Sequence, residues 1–466
     1  MTTAPPAAHG PRPTADPRRL SRVVAASLIG TTIEWYDYFL YGSAAALVFG
    51  HVFFPETDPL TGTLLSFLTY AIGFAARPLG ALVFGHFGDR VGRKKLLVVS
   101  LLMMGVATAL IGCVPSYDSI GLAAPILLTS LRVVQGFALG GEWGGAVLLV
   151  SEHGGAKWRG FWASWPQGGA PAGNLLAVGV LSWLTDTQSH SAFMEWGWRV
   201  PFLLSAVLVG IGLWIRLSVE ETPLFQEALA RSEQRKEKKA AERLPLFAVV
   251  RDHWRDILVA MGARMAENIS YYILTTFVLT YCVSHLGIKQ QTALNAVLIG
   301  SAVQFCLIPA FGALSDRIGR RPVYLFGAVG IGVWAWVFFT MLDSRSFPQL
   351  ALSVTVGLFF HSAMYAPQAA FFSEMFATRM RYTGASIGAQ FASVAAGAPA
   401  PLIAVALLKH SGNSTQISLY VCLAAVVTVI AVLAARETRG RDLTAVRGAG
   451  AGAVAEPVPD EAAAKS

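Results

Sequence analysis

The stretch that decides the fold is Gly85-His-Phe-Gly-Asp89-Arg90-Val-Gly92-Arg93-Lys94, and it occurs again as Gly312-Ala-Leu-Ser-Asp316-Arg317-Ile-Gly319-Arg320-Arg321. Two shorter pairs accompany it. Ser151-Glu152 with Arg159-Gly160 matches Ser373-Glu374 with Arg381 and Gly384, and Glu220-Glu221-Thr222-Pro223 matches Arg436-Glu437-Thr438-Arg439-Gly440. Because the three pairs stand at equivalent places, they indicate two related halves.

The composition around these repeats is that of a membrane protein. Of the 466 residues, 54% are hydrophobic and only 14% are charged, too few charges to cover a soluble protein of this size. Apolar runs of about 20 residues are long enough for a helix to cross a ~30 Å hydrocarbon layer. Such runs lie near 23–50, 61–87, 95–114, 121–150, 160–184, 200–218, 256–284, 291–314, 322–342, 349–373, 384–408 and 416–435.

Lipid offers the backbone no hydrogen bonds, so each of these runs must be helical. We therefore predict an all-α polytopic membrane protein with twelve transmembrane helices in two pseudo-symmetric six-helix bundles. The expected organisation is a disordered tail at 1–22, a first bundle at 23–220, a charged linker at 221–255, a second bundle at 256–436 and a tail at 437–466.

The formal charge of +8 belongs to alternate loops and not to one surface, which argues against nucleic acid as a partner. Basic residues in the loops at 90–95, 157–159, 231–255 and 317–321 predict that these loops face the cytoplasm, with both termini on the same side. Residues 1–16 have no apolar core, so we expect a tail and not a signal peptide. The expected location is the cytoplasmic membrane, in contact with the lipid bilayer.

Several function classes lack support in the sequence. The four cysteines lie in or at the edges of apolar runs and the nine histidines lack metal-ligand spacing, so we expect no disulfide and no metal site. His361 lies within a span, where packing is the favoured interpretation. No phosphate-binding loop and no convincing nucleophile–base pair occur, which argues against an ATP-driven pump and against an enzyme.

The repeated loop is similar to the signature loop of the major facilitator superfamily. Further segments resemble its metabolite:proton symporter branch, which includes proline/betaine, shikimate, α-ketoglutarate and citrate carriers: Gly30-Thr-Thr-Ile-Glu34-Trp35-Tyr36-Asp37, Arg77-Pro78-Leu-Gly80, Gln135-Gly136-Phe-Ala-Leu-Gly-Gly-Glu142-Trp143 and Trp196-Gly-Trp198-Arg199-Val-Pro201. The resemblance implies proton-coupled uptake of a small polar organic solute, driven by the proton gradient without a cofactor or an obligatory protein partner. It leaves the solute open.

Ionised side chains near the middle of a bilayer are costly and usually face a cavity or a partner. By this criterion the candidate proton-coupling residues are Glu34, Asp37, Arg132, Glu142 and Glu267. The candidate substrate-binding residues are Tyr36, Arg77, Gln135, Trp143, Arg264, Asn268, Tyr271, Tyr272, Gln304, Tyr365 and Gln368. The alternative is that the charges form fixed ion pairs that hold helices together.

Two ligand chemistries remain open. A carboxylate substrate would take a bidentate bond from Arg132 or Arg264, whereas a quaternary ammonium would sit against aromatic faces such as Trp35, Tyr36 and Trp143. A zwitterion could use both. Two other functions also stay open: proton-coupled export of a hydrophobic compound and a membrane sensor that transports nothing.

We predict that the two repeated loops form a gate, in which Asp89 and Asp316 face helix N-termini or arginines of the opposite half. The gating residues expected on this basis are Gly85, Asp89, Arg90, Gly92, Arg93, Asp316, Arg317, Gly319 and Arg320. The alternative is a basic turn that only sets the topology.

Overall fold

The computed structural model describes residues 17–81, 83–84, 93–140, 158–218, 246–375, 392–397 and 399–440. We number the long helices in chain order: α1 Pro17–Leu47, α2 Pro59–Ala75, α3 Arg93–Cys113, α4 Ala123–Leu139, α5 Arg159–Gln167 with Gly169–Thr187, α6 Arg199–Ser218, α7 Leu246–Tyr272, α8 Gln290–Ile318, α9 Arg320–Asp343, α10 Phe347–Met375, α11 Ser393–Gly397 with Pro399–Ser411, and α12 Thr415–Ala434. Each predicted span overlaps one of them, and the described residues contain no strand. The all-α prediction is confirmed.

Hydropathy and exposure show which helices can cross a membrane. Among the described residues, six are long and apolar enough: Pro59–Ala81, Gln290–Ile318, Arg320–Asp343, Phe347–Met375, Ser393–Ser411 and Thr415–Ala434. A seventh is the pair His190–Gly197 and Arg199–Trp214, which bends by 46°. Large apolar side chains such as Trp183, Val333 and Ile430 are more than 60% exposed, as expected for surfaces solvated by lipid.

The helix boundaries differ from the sequence prediction mainly at α7. This helix begins at Leu246, inside the range 221–255 predicted as a linker, because the apolar run Leu246-Phe-Ala-Val-Val precedes the charged residues up to Arg255. Beyond Tyr272 the chain continues through two π-helical turns, Ile273–Phe277 and Tyr281–His285. Such π-helical turns are frequent at functional sites. The sequence pattern does not predict them.

Packing divides the helices into two groups. In the first half, α3 lies against α4 and α6, α1 against α5, and α2 against α4. In the second half, α10 lies against α8 and α9, and α12 against α7 and α9. Within the described residues, the halves meet mainly where α5 packs on α8 and α10 and where α2 packs on α11.

The α5–α8 seam is close-packed and polar. A Cβ added to Gly160 would lie 2.7 Å from the carbonyl oxygen of Gly312, and one added to Gly312 would lie 2.7 Å from that of Gly160. Farther along, Asn174 donates to Ser301 at 2.9 Å and Ser182 donates to Asn295 at 2.7 Å. Small residues thus bring the backbones together, and hydrogen bonds join the halves along the seam.

Candidate functional site

Arg132 of α4 lies inside a cage of tyrosine rings. Its guanidinium carbon is 4.3 Å from the ring centroid of Tyr41, 4.6 Å from that of Tyr70 and 5.1 Å from that of Tyr38. Arg77 lies beside the same cluster, 4.0 Å from Phe74 and 4.8 Å from Tyr38. Aromatic faces attract cations, so the rings hold two positive charges on the side of the first half that faces the second.

A relay of hydrogen bonds connects Arg132 to Asp37. Arg132 donates to Gln135 at 2.9 Å, Gln135 donates to the Thr108 hydroxyl at 2.6 Å, and Thr108 donates to the Asp37 carboxylate at 2.9 Å. Ser205 of α6 donates to the other Asp37 oxygen. Asp37 is therefore a buried carboxylate with two hydroxyl partners. It is connected to Arg132 through Thr108 and Gln135 and not by direct contact.

A small cavity joins these groups. Glu34, Asp37, Arg77, Arg132 and Gln135 all line it. Both arginines are buried: Arg132 is only 4% exposed and Arg77 only 8% exposed. Buried charges are normally paired. Even so, within the described residues neither arginine forms an ion pair with a carboxylate.

The second half carries a carboxylate centre. Glu267 accepts hydrogen bonds from Asn268 and from Gln368, each at 3.0 Å. Its nearest cation is Arg264, whose Nε lies 3.4 Å from the carboxylate oxygen Oε2. Gln368 also donates to the Tyr324 hydroxyl at 3.2 Å. Helices α7, α9 and α10 thus converge on one buried acid.

An aromatic layer separates the two charged centres. The ring centroid of Tyr272 is 6.0 Å from that of Tyr38 and 6.1 Å from that of Phe74, while Tyr271 and Phe39 are 5.3 Å apart. These rings come from α1, α2 and α7, and hence from both halves. A solute that lies between the halves would contact this layer, the arginines on one side and the Glu267 centre on the other.

The structure places the predicted residues unevenly around this layer. Most of them come together at the two charged centres: Glu34, Asp37, Arg77, Arg132 and Gln135 at one, and Arg264, Glu267, Asn268, Tyr271, Gln304, Tyr365 and Gln368 at the other. Tyr272 lies in the aromatic layer. Glu142 and Trp143 lie outside the described residues, as do Gly85, Asp89, Arg90 and Gly92. Arg93 begins α3.

Tyr36 does not reach the layer. Its hydroxyl donates to the carbonyl oxygen of Pro201 at 2.8 Å, which directs the ring toward α6 inside the first half. Tyr38, two positions later, faces the arginines instead, because two helical positions differ by about 200° around the axis. Tyr38, Tyr70 and His361 lie in the candidate site but are absent from the predicted site residues. In the sequence, only a polar ring within an apolar span distinguishes them.

At one end of the α5–α8 seam, Asp316 joins the two halves. Its carboxylate oxygens accept the backbone N–H groups of Gly160 and Phe161, each at 2.8 Å, at the N-terminus of α5. A carboxylate is stabilised there by the free N–H groups and by the helix dipole. We call this region, defined by Asp316, Gly160 and Phe161, the Asp316 gate; its gating role stays a prediction.

Buried ion pairs surround the Asp316 gate. Arg320 donates to Asp316 at 2.7 Å and lies 3.3 Å from Glu374, and Arg159 of the other half donates to Glu374 at 2.8 Å. Gly319 immediately precedes α9 and lies beside Glu437. Its φ of +108° is a backbone conformation that residues with a side chain rarely adopt. Arg317 is exposed to the surroundings and forms no part of this network.

Glu437, beyond the last span, caps α9. Its carboxylate accepts the backbone N–H groups of Arg320 and Arg321, each at 3.0 Å. Burial disfavours its charged form, but these backbone bonds hold the pKa of Glu437 below its usual range. Because the pKa is lower in the folded protein, the cap stabilises the fold at neutral pH and is lost only as the pH falls through that lowered value.

The opposite end of the molecule carries a different inter-half contact. Lys409 donates to Asp58 at 3.0 Å and also to the Thr61 hydroxyl. Bonds from Thr61, and then from Lys409, lower the pKa of Asp58 to about 2. The stabilising effect of this ionised pair is therefore complete at neutral pH and is lost only as the pH falls toward 2, so pH dependence between 5 and 8 does not originate here.

We expect the Asp316→Asn substitution to open the Asp316 gate. Hydrogen bonds to a charged group contribute about 1.5 to 3 kcal/mol, so the population open at this end should rise at least about tenfold. A cysteine at Ser164, which lies buried behind the gate, should then react with a hydrophilic maleimide about ten times faster in an otherwise cysteine-free protein. Arg317→Gln is the matched control, and equal rates in all three proteins would contradict the gate.

The fold is that of a membrane-embedded transporter of the major facilitator type: two helical bundles, with charged centres on either side of their interface. The chain belongs to the sugar (and other) transporter family, whose model matches residues 23–448. It is thus a transporter of small solutes and not an enzyme.

Among its relatives, the shikimate transporter of Escherichia coli K12 is 39% identical over 423 residues, covering 90% of this chain and 95% of the relative. The inner membrane metabolite transport protein YhjE of the same organism is 40% identical over 432 residues, with 91% and 96% covered. The proline/betaine transporter of that organism is 33% identical, with 92% and 86% covered. The predicted resemblance to this branch is confirmed.

Solved structures agree on the fold. The crystal structure of a D-xylose–proton symporter superposes with a TM-score of 0.69 at 17% sequence identity, covering 90% of this chain and 98% of that one. The partially occluded, inward-open xylose transporter of Escherichia coli gives a TM-score of 0.70 at 20% identity, with 91% and 99% covered. The prediction of the major facilitator fold is confirmed.

Proposed function

We propose that this protein is a proton symporter that takes up a small carboxylated metabolite by alternating access. The observation that carries the proposal is the pair of buried arginines, Arg77 and Arg132, which meet aromatic rings but no carboxylate within the described residues. A substrate carboxylate would supply the missing negative charge and could accept two parallel N–H bonds from a guanidinium.

The same geometry argues against a quaternary ammonium in the first half. The rings of Tyr38, Tyr41, Tyr70 and Phe74 are already covered by guanidinium groups, so a cationic substrate would have to displace Arg77 or Arg132. The resulting repulsion between like charges in a low-dielectric site disfavours such a substrate. Higher identity to the shikimate transporter than to the proline/betaine transporter, 39% against 33%, supports the same choice.

Charge balance explains how protons could be coupled to such a substrate. If Glu34 and Asp37 are both ionised, they cancel the charges of Arg77 and Arg132. One proton on either acid leaves a net positive charge, which a carboxylate substrate neutralises. Because a buried net charge is costly, the site favours binding the proton and the anion together, or neither. The relay from Arg132 to Asp37 supports Asp37 as the acid that responds to the substrate.

The orientation of the protein in the membrane is inferred from its basic loops. We place the Asp316 gate and both termini in the cytoplasm, since the basic loops beside the repeated stretches lie on that side under the positive-inside rule. The Asp58–Lys409 contact then faces outward. The relative described as an inner membrane protein supports the cytoplasmic membrane as the location.

The test is uptake by purified protein in proteoliposomes. Shikimate, α-ketoglutarate, citrate, proline and glycine betaine are offered separately, with and without an inward proton gradient. We expect gradient-dependent accumulation of a carboxylic acid such as shikimate, at a rate at least about tenfold above that of glycine betaine. Preferential uptake of glycine betaine would refute the carboxylate assignment, and outward movement of an apolar compound would replace uptake with export.

A further inference from the structure

A buried histidine of the second half lies against the Glu267 centre, and the proposed transport cycle does not yet use it. The ring nitrogen Nδ1 of His361, in α10, lies 2.8 Å from the amide nitrogen Nε2 of Gln304, in α8. Its other ring nitrogen lies 3.6 Å from the Glu267 oxygen Oε1. His361 and Gln304 are both fully buried. Three helices of the second half therefore bring an imidazole, an amide and a carboxylate together.

Two atoms of this group lack a partner. Within the described residues, neither His361 Nε2 nor Gln304 Oε1 makes a hydrogen bond. A buried polar atom without a partner costs about 1 to 3 kcal/mol, and two adjacent ones indicate a state of the site in which both are satisfied.

If His361 binds one more proton, its Nε2 and the Gln304 oxygen can both have hydrogen-bond partners. An imidazolium donates from both ring nitrogens. If the Gln304 amide turns by half a rotation, its oxygen accepts from Nδ1, while Nε2–H faces Glu267 and needs to move by only a few tenths of an ångström to make a hydrogen bond. The neutral ring can accept from Gln304 at Nδ1 and donate from Nε2 toward Glu267, but it leaves the Gln304 oxygen without a partner. In the imidazolium state that oxygen is paired and the Gln304 NH2 group takes its former place. The amide fits both states because it is a donor at one end and an acceptor at the other.

We propose that His361 is a second proton-binding residue of the transport cycle, held between Gln304 and Glu267. This inference rests on the proposed function, because the proton it binds would move with the solute. A neutral His361 leaves Arg264 and Glu267 to cancel each other, whereas a protonated one gives the second half a net positive charge that an anionic solute can balance.

The surroundings of His361 support a cation there. Glu267 and Arg264 face it from α7, together with Tyr271, whose ring stacks on the imidazole with centroids 4.5 Å apart and planes 23° apart. Tyr365 of its own helix lies 5.3 Å away, and Tyr324 of α9 is linked to Glu267 through Gln368. An aromatic face stabilises an adjacent cation. Tyr271 also touches Phe39 of the first half, so a change at His361 reaches the interface.

The first experiment measures the proton on His361 without any substrate. Ring-¹⁵N-histidine protein is reconstituted in liposomes, and the His361 signal is identified among the nine histidines by its loss in His361→Gln. Spectra are recorded over a range of pH values, and we expect the imidazolium form of His361 to be present within it. In Gln304→Glu, whose added carboxylate favours the cation, the imidazolium fraction at a given pH should be larger. A ring that stays neutral throughout that range in both proteins would overturn the proposal.

The second experiment asks whether this proton matters for transport, with shikimate as the probe. We expect His361→Gln to raise the apparent KM for shikimate roughly tenfold and to flatten its pH dependence, and Gln304→Glu to shift the pH profile upward. His410→Gln, at an exposed position, is the matched control. An unaltered pH profile in both site variants would also overturn the proposal. Failure of wild-type uptake would count against the proposed function, but the titration of His361 would still be read independently.

Discussion

Arg132→Gln is expected to lower kcat/KM for shikimate uptake by at least about 30-fold. The substitution removes the positive charge at the centre of the tyrosine cage and breaks the relay to Asp37 at its first hydrogen bond, so that Gln135 loses its guanidinium partner. Truncating one partner of a buried charge pair costs about 2 to 5 kcal/mol, which corresponds to this loss. Initial rates of [¹⁴C]shikimate uptake in proteoliposomes measure it.

Arg132→Lys separates charge from geometry. Lysine keeps the positive charge but cannot form two parallel bonds to a carboxylate, so we expect an intermediate loss, about tenfold. Melting temperatures of the purified variants show whether either protein is simply unfolded. If Arg132→Gln were folded and transported shikimate at the wild-type rate, the carboxylate would have to bind elsewhere.

Asp37→Asn is expected to abolish accumulation without abolishing exchange. Asparagine preserves the size of the side chain and can still accept a hydrogen bond from Thr108 or from Ser205 at its single amide oxygen, but it cannot take up or release a proton. Under an inward proton gradient, the ratio of internal to external shikimate should fall to about 1, while counterflow of labelled shikimate persists at a reduced rate. The proton would then no longer move with the solute.

A matched control is Asp343→Asn, an acid at the end of α9 that accepts a hydrogen bond from Tyr281 at 2.7 Å, away from the cavity. We expect it to keep gradient-driven accumulation. Equal accumulation by Asp37→Asn and by wild type would remove Asp37 from the coupling mechanism and leave Glu34 as the candidate acid of the first half.

The architecture could be predicted because it depends on long-range patterns. Apolar runs place helices in lipid, and the repeated Asp-Arg-x-Gly-Arg loops reveal the two halves. The start of α7 could not be predicted in this way, because the charges between Arg251 and Arg255 look like a linker although the helix continues through them to Leu246. Charged residues are compatible with a helix that extends beyond the bilayer, so hydropathy alone does not locate this boundary.

The candidate site could be predicted only in part. Charge within a span pointed to Arg132, Asp37 and Glu267, since a buried charge is expensive wherever it lies. Tyrosine and histidine carry no such cost when neutral, so the pattern could not distinguish Tyr38, which faces the arginines, from Tyr36, which faces α6. For the same reason the sequence favours packing as the role of His361, and only its approach to Gln304 and Glu267 singles it out.

The measurement that tests proton–carboxylate symport most directly needs no imposed proton gradient. Wild-type proteoliposomes that contain a pH-sensitive dye are diluted into a weakly buffered solution of shikimate, and the internal pH is followed. We expect downhill entry of shikimate to acidify the interior and Asp37→Asn to remove this signal. Shikimate entry at the wild-type rate with no change in internal pH would contradict proton–carboxylate symport.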